Sequence, residues 1–381
     1  MSEFKSASFS AEDGSNGTDF VGVTTFTSPY YFVPPSGTTA QRPSGEGLTP
    51  GMLRFNTDIG RLEVWRGDHW ATIQGDSPNL NGGARGVFSM GIGNAPIGSG
   101  SNIIDYVTIS TLGNATSFGS ATIQAVYSSA CASSTRGIIF GGYDTAGNNK
   151  SDIQYFTISS TGNAASFGNL SAVRRSTISC SNSIRGIVAG GNPSTTNAIE
   201  YITISSTGNS VSFGSLTQIR AYGGGAASST RGLFAGGRYD TPVATWYNVI
   251  DYVTISTTGN ATYFGDLTLA RGEGVAGLSN STRGVFAGGN ASPAQGSTSN
   301  RIDYVTIAST GNATTFGDMT SAYYMRAPAS SSTRGLFAGG NPYTSNVDYI
   351  AILTIGNSIN FGNLSVTRTG ASGCSNGHGG L

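Results

Sequence analysis

Side chains able to do covalent or metal chemistry are few in this chain, and poorly placed for it. Its 381 residues include two histidines, His69 and His378, and three cysteines, Cys131, Cys180 and Cys374. Neither histidine stands at metal-ligand spacing from another ligating residue, and no HExxH, GxSxG or P-loop phrase occurs. Carboxylates show no pairing that would suggest acid–base catalysis. The expectation is a protein that is not an enzyme and holds no cofactor or metal. Recognition chemistry is better supplied, because aromatic rings beside Arg and Asn can stack on sugars or grip a protein partner. Two groups of residues have this character. Tyr143, Tyr239, Trp246, Tyr247 and Tyr343 fall in long loops, and Tyr127, Arg175, Tyr222, Tyr323 and Tyr324 fall in shorter ones. The alternative role for these rings is to pack loops down or to bury a subunit contact.

Composition narrows the partners. Charged residues make up 10% of the chain, against about a quarter in an ordinary soluble domain. Twenty basic residues balance twenty acidic ones, and Lys5 and Lys150 are the only lysines. Such a chain lacks the electrostatic footprint for nucleic acid or anionic membrane binding. No apolar run approaches the length of a membrane span, so no membrane insertion is expected. The start, Met1 to Lys5, has no basic segment followed by an apolar one, so no secretory signal is expected.

The elements that must carry the loops come from an internal repeat. Arg-Gly followed by two apolar residues and paired glycines recurs at Arg85, Arg136, Arg185, Arg231, Arg283 and Arg334, the first copy having Met90 for one glycine. An apolar residue, usually Asp, and then Tyr follow, ending at Tyr106, Tyr155, Tyr201, Tyr252, Tyr304 and Tyr349. Gly-Asn comes next, ending at Asn114, Asn163, Asn209, Asn260, Asn312 and Asn357. Phe-Gly closes each copy, at Phe118, Phe167, Phe213, Phe264, Phe316 and Phe361.

Each copy reads as four short strands separated by Gly, Asn and Ser turns, with no segment that holds a helical apolar period. A small-residue strand, such as that within Ala270–Leu278, precedes each Arg-Gly strand. The first copy lacks it, and Ser372–His378 near the other end of the sequence supplies a matching stretch. Four antiparallel strands, repeated six times and joined end to end, predict an all-β, six-bladed β-propeller closed by the C-terminal strand. Length variation concentrates between the paired glycines and the Tyr strand, so those loops share one face, together with the segments entering each small-residue strand. Binding residues gather on loops held by a rigid scaffold.

The Arg of each Arg-Gly could line an anion site. Its presence in every copy favours a tie within a turn or to an adjacent blade, and the acidic residue before each Tyr lies at the opposite end of its hairpin. Cys131, Cys180 and Cys374 occupy one core position per blade and predict three free buried thiols, in keeping with a reducing cytoplasm. Asn-x-Ser/Thr phrases at Asn16, Asn114, Asn169, Asn260, Asn280, Asn290, Asn312 and Asn363 read as repeat turns rather than glycan sites.

The paired glycines, the Tyr of the next strand and the Arg opening the following unit resemble kelch propellers over residues 79–381, with Phe where an outer-strand Trp is usual. The copper-dependent kelch oxidases need histidine ligands that this sequence lacks. Residues 51–73, reading GMLRFNT…LEVW.G..W, resemble a short module of bacteriophage tail-fibre and whisker proteins. The Val-Thr-Ile-Ser-Thr-Thr-Gly-Asn repeats are similar to those of virion proteins from viruses of marine cyanobacteria. The resemblance implies a virion structural protein, a tail or neck fibre component or a capsid decoration protein, made in the host cytoplasm. Residues 1–78 would be an attachment and assembly segment with a β-hairpin at 51–73, contacting other virion proteins and forming a homo-oligomer. Residues 79–381 would display the propeller towards host surface polysaccharide. The alternatives are an architectural subunit without a ligand, or a cellular kelch-like adaptor for a protein partner.

Overall fold

The computed structural model describes residues 34–45, 47–72, 84–93, 100–193, 195–240, 243–291 and 298–381. The calls on Asn16 and on Ile73 to Leu80 lie outside them. Among the described residues the chain is all-β, with one three-residue 3-10 turn at Thr39–Gln41. It divides into two compact units after Asp76.

In the first unit, Leu53–Asn56 and Arg61–Trp65 form the expected hairpin. The sheet is larger than that hairpin, because Trp70–Thr72 adds to one edge and Ser36–Gly37 pairs in parallel with the other. A buried carboxylate explains the extra strand. Glu63 is fully buried and takes hydrogen bonds from Arg42, Arg54 (2.9 Å) and Asn56 (3.1 Å). These donors, Arg42 foremost, outweigh burial and hold its pKa below the ordinary carboxylate value. Arg54 also donates to the Thr38 carbonyl, which fastens the parallel edge.

The second unit contains the six repeats, each a four-stranded antiparallel sheet. In the fourth repeat the strands are Gly224–Ala227, Arg231–Ala235, Val249–Thr254 and Thr262–Asp266. The small-residue strand is shorter than the sequence implied. In the fifth repeat it spans Ala276–Ser279 only, while Arg271–Gly272 pairs separately with Asn290–Ala291. The first repeat takes its missing strand from Ser372–Ser375, with Cys374 opposite Val87. First and second repeats are continuous, because Ala125 and Val126 extend one sheet onto Asp144 and Tyr143.

Apolar cores lie between repeats rather than within them. One cluster joins Phe88, Val107 and Ile109 of the first repeat to Leu336, Val347 and Phe361 of the sixth. Within each repeat the Tyr meets the Phe edge-on, with ring centroids 5.9–6.0 Å apart. The same Tyr carries the Arg of its Arg-Gly phrase, 4.5–4.9 Å above the ring. Each of these arginines then donates to a carbonyl of the following repeat. Arg85 reaches Ile158, Arg136 reaches Ile204, Arg185 reaches Ile255, and Arg231 reaches Ile307. Arg283 reaches Ile352, and Arg334 returns to Ile109 in the first repeat. The tie role is therefore the observed one.

The Gly-Asn and Phe-Gly landmarks form the other half of each seam. The Phe167 carbonyl accepts from Gly208 N–H at 2.8 Å, and the Asn169 N–H donates to Asn209 Oδ1 at 3.0 Å. Equivalent pairs occur at all six seams, the last joining Phe361 and Asn363 to Gly113 and Asn114. The glycine of Phe-Gly is required by this approach. A Cβ at Gly168 would stand 2.1 Å from the Gly208 carbonyl oxygen, whereas one at Gly162 would meet nothing within 4 Å. Gly168→Ala should accordingly cost about 2–4 kcal/mol through forced displacement of the seam. Gly162→Ala should change stability by less than about 0.5 kcal/mol. Urea unfolding of the two variants tests the assignment, and equal losses would refute it.

Candidate functional site

The loop face is organised by a second set of arginines that the sequence reading passed over. Arg174, Arg220, Arg271, Arg326 and Arg368 are all buried. Each pairs with the acidic residue before the Tyr of its repeat: Glu200, Asp251, Asp303, Asp348 and Asp105 respectively. Arg220 shows the pattern. Its guanidinium donates to Asp251 (2.9 Å) and to the carbonyls of Phe234, Gly236 and Val249. Asp251 also accepts from the hydroxyl and amide of Thr217. Burial lowers the pKa of Arg220, with Asp251 acting in the opposite direction. The second repeat breaks the pattern on both sides at once, with Gln154 in place of the acid and Ala125 where the arginine would stand.

This pairing fixes the segment beside each arginine, which comes after Arg174, Arg220, Arg271 and Arg368 and just before Arg326. Tyr127, Ser176, Tyr222, Gly274, Met325 and Gly370 occupy equivalent places at the entry to the six first strands. Their backbones form a closed cycle of hydrogen bonds. Ser176 N–H donates to Tyr127 C=O, Tyr222 to Ser176, Gly274 to Tyr222, Met325 to Gly274, Gly370 to Met325, and Tyr127 to Gly370, at 2.7–3.3 Å. All six have left-handed φ, including the non-glycines Tyr127 (59°), Ser176 (55°), Tyr222 (67°) and Met325 (55°). A side chain in this conformation costs about 1–2 kcal/mol relative to the ordinary helical region.

The cycle rims a cavity of about 940 Å³, including space open to solvent, between the six first strands. Strand register places the rim with the long loops, because Ser372 at the start of a first strand faces Ser89 at the end of a second. At the opposite end, where Ser375 faces Gly86, residues 376–381 touch every repeat. Asn376 accepts from the Arg85 N–H, and Gly379 N–H donates to the Ser279 carbonyl. A Cβ on Gly377 would lie 3.5 Å from Ser331, and one on Gly379 would lie 2.6 Å from the Ala227 carbonyl oxygen. One on Gly380 would lie 1.9 Å from that of Ser181. His378 donates from Nε2 to the Ala132 carbonyl at 2.7 Å, and its Nδ1 accepts from Gly380 N–H. The three cysteines are free and buried, and burial pushes the Cys131 thiol up to about 12.

All ten loop residues singled out from the sequence are half-buried. Tyr127 and Tyr222 line the cavity mouth. Tyr324 and Tyr343 stand near enough to act electrostatically on Tyr127, whose pKa is raised mainly by burial and then by Tyr222, Glu273, Tyr343 and Tyr324. Arg238 lies 5.2 Å over Tyr222 and pairs with Glu273 at 2.9 Å; neither partner was anticipated. The remaining residues serve the loops. Arg175 stacks on Tyr143 (4.4 Å), Tyr323 lies beside Arg326, and Trp246 covers Gly272. Tyr239 and Trp246 belong to a two-residue hairpin, and the Tyr247 amide donates to Gly237. Among known proteins, no family model matches the chain and no curated protein is detectably similar to it.

Asp251→Asn, which strands a buried guanidinium, should cost about 3–5 kcal/mol. The Asp251→Gln/Arg220→Ala double variant, copying the second repeat, should recover part of that loss in urea unfolding. A double variant no more stable than the single would contradict the pairing. Burial lowers the His378 pKa from its ordinary 6.5, against a smaller opposite effect of the Ala132 hydrogen bond. The unfolded chain therefore takes up a proton as pH falls through about 6.5 while the folded chain does not. Stability is full above that pH and declines below it. His378→Asn should shrink the fall in thermal midpoint between neutral pH and about pH 5, and an unaltered fall would exclude this residue.

Proposed function

We propose that residues 79–381 form a six-bladed kelch-like β-propeller, and that the chain is a bacteriophage virion structural protein displaying it. The cyclic succession of seams, returning from Arg334 to Ile109 and from Asn363 to Asn114, supports the closed arrangement. The virion assignment rests on residues 51–72 and on the repeat phrases, whose resemblance to phage fibre and virion proteins is described above. In this reading the first unit attaches the chain to other virion proteins and the loop face is presented to host surface glycan. One observation carries the recognition role: the long loops and their Tyr, Trp and Arg side chains share a face with the cavity mouth, whereas the opposite face has short turns.

A second, architectural reading has its own observation. Around the two seams made by the sixth repeat, Leu112 and Ile359 at the one with the first and Leu353 and Ile355 at the one with the fifth, these four side chains are 54–60% exposed. The other copies place Thr161, Thr207, Thr258 and Thr310 at the position of Leu112 and Ile355. Exposed apolar side chains gathered there suit a protein contact on the short-turn face. Both readings are tested by side-chain-resolution electron microscopy of particles carrying the chain. The expected image has the loop face towards solvent and the short-turn face against the particle. A loop face buried against other subunits would overturn the recognition role, and absence from particles would overturn the virion assignment.

A further inference from the structure

At the cavity mouth the six repeats are chemically unequal in a patterned way. At the mouth the first three repeats contribute hydroxyls: Ser372, Ser128, Ser129, Ser176, Thr177 and Ser179. The equivalent positions of the other three contribute Gly223, Gly225, Gly277, Met325 and Pro328, which offer no side-chain donor, besides Tyr222 and the guanidinium of Arg326, which Asp348 holds. The hydroxyls are partly engaged with one another, Ser129 with Thr177 at 2.7 Å and Ser128 with Ser372 at 3.1 Å. Ser176 Oγ is buried, its residue 6% exposed, and has no hydrogen-bond partner. Tyr127 and Tyr222 flank Ser176 in the backbone cycle and complete the rim.

Charge at this mouth is already spent. Arg326, the lining guanidinium, is held by Asp348. Glu273, near the rim, is held by Arg238 and Asn290. His378 at the far end sits in its hydrogen bonds to Ala132 and Gly380. Among the residues lining the cavity a ligand carrying a net charge would find no free counter-charge, while a neutral polyhydroxylated ring would meet hydroxyls on one wall and mostly glycine and apolar surface on the other. Backbone conformation gives an independent indication. Glycine fills the left-handed positions at 274 and 370 without strain, yet tyrosine is kept at 127 and 222.

We propose that this mouth binds one neutral sugar ring end-on, with Ser176 and its neighbouring hydroxyls hydrogen-bonding the ring and Tyr127 and Tyr222 stacking on it. This rests on the recognition role argued above and names its site and ligand class. A free monosaccharide and the terminal residue of a surface polysaccharide share this chemistry.

The test is titration of the full-length chain with neutral sugars (glucose, galactose, mannose, rhamnose, N-acetylglucosamine) and glucuronate, both free and as immobilised polymers. At least one neutral sugar should bind at millimolar concentration or below, and glucuronate should not. Tyr127→Gly/Tyr222→Gly copies residues already present at positions 274 and 370. It should weaken binding at least tenfold with the thermal midpoint unchanged or raised, and Ser176→Ala should weaken it separately. Binding confined to glucuronate, undiminished binding by the double variant, or no neutral ligand at millimolar concentration would each overturn the proposal. Undiminished polymer binding by the double variant would leave the surface-glycan role standing elsewhere on the loop face. Binding of free sugar alone would keep this site and remove that role.

Discussion

A backbone amide and carbonyl at each Phe-Gly step are left without a partner in their own sheet, and only the next repeat can satisfy them. Stranding such a pair in a partly buried seam costs about 1–3 kcal/mol per group. Gly-Asn meets the need with one backbone donor and one side-chain acceptor, and the Arg-Gly arginine adds a third tie a few ångströms away. Because the apolar clusters also straddle repeats, no repeat owns a complete core. Each repeat therefore depends on its neighbours, in keeping with Tyr-to-Asn and Asn-to-Phe spacings that are the same in every copy.

The buried guanidinium–carboxylate pairs do a different job. They are poor sources of net stability, since desolvation offsets most of the attraction. Their value lies in direction. Arg220, Arg271 and Arg368 gather the carbonyls that end the second strand and begin the third, so the residue two or three places further on is delivered to the backbone cycle at the cavity mouth. Where the second repeat drops both members together, Gln154 still accepts from the Thr122 amide and the continuous pairing of Ala125 and Val126 holds the entry segment instead.

Strand number, strand order and the borrowed strand at Ser372–Ser375 were legible in the sequence because periodic landmarks recur at fixed spacing. The tie role of Arg85 and its equivalents followed from repetition itself. The second arginine series was not legible, for a geometric reason: Arg326 enters three residues closer to its Arg-Gly than Arg174 and Arg220 do, so the spacing is broken. Side-chain reach absorbs that shift, and alignment by position does not. Arg238 and Glu273 were equally hidden, since their pairing joins two loops of different repeats. The small sheet of the first unit grew beyond a hairpin because the acceptor Glu63 recruits donors from residue 42, which no local pattern announces.

The pairing of Ser372–Ser375 with Arg85–Ser89 has a consequence in time. Those segments are 287 positions apart (372 − 85), so a ribosome adding about 5–20 residues per second separates their emergence by roughly 15–60 s. Throughout that interval the apolar strand beginning at Arg85 exposes a free edge, with only one neighbour. A nascent first repeat is thus an open template for the small-residue strand of any repeat, including one on another polysome. Ser372, where the fifth and sixth repeats have Ala276 and Ala327, gives the rightful strand a hydroxyl partner in Ser89, and Ser375 donates to the Ser330 carbonyl, so the strand has a local means of outcompeting those alanine-bearing copies within the same chain.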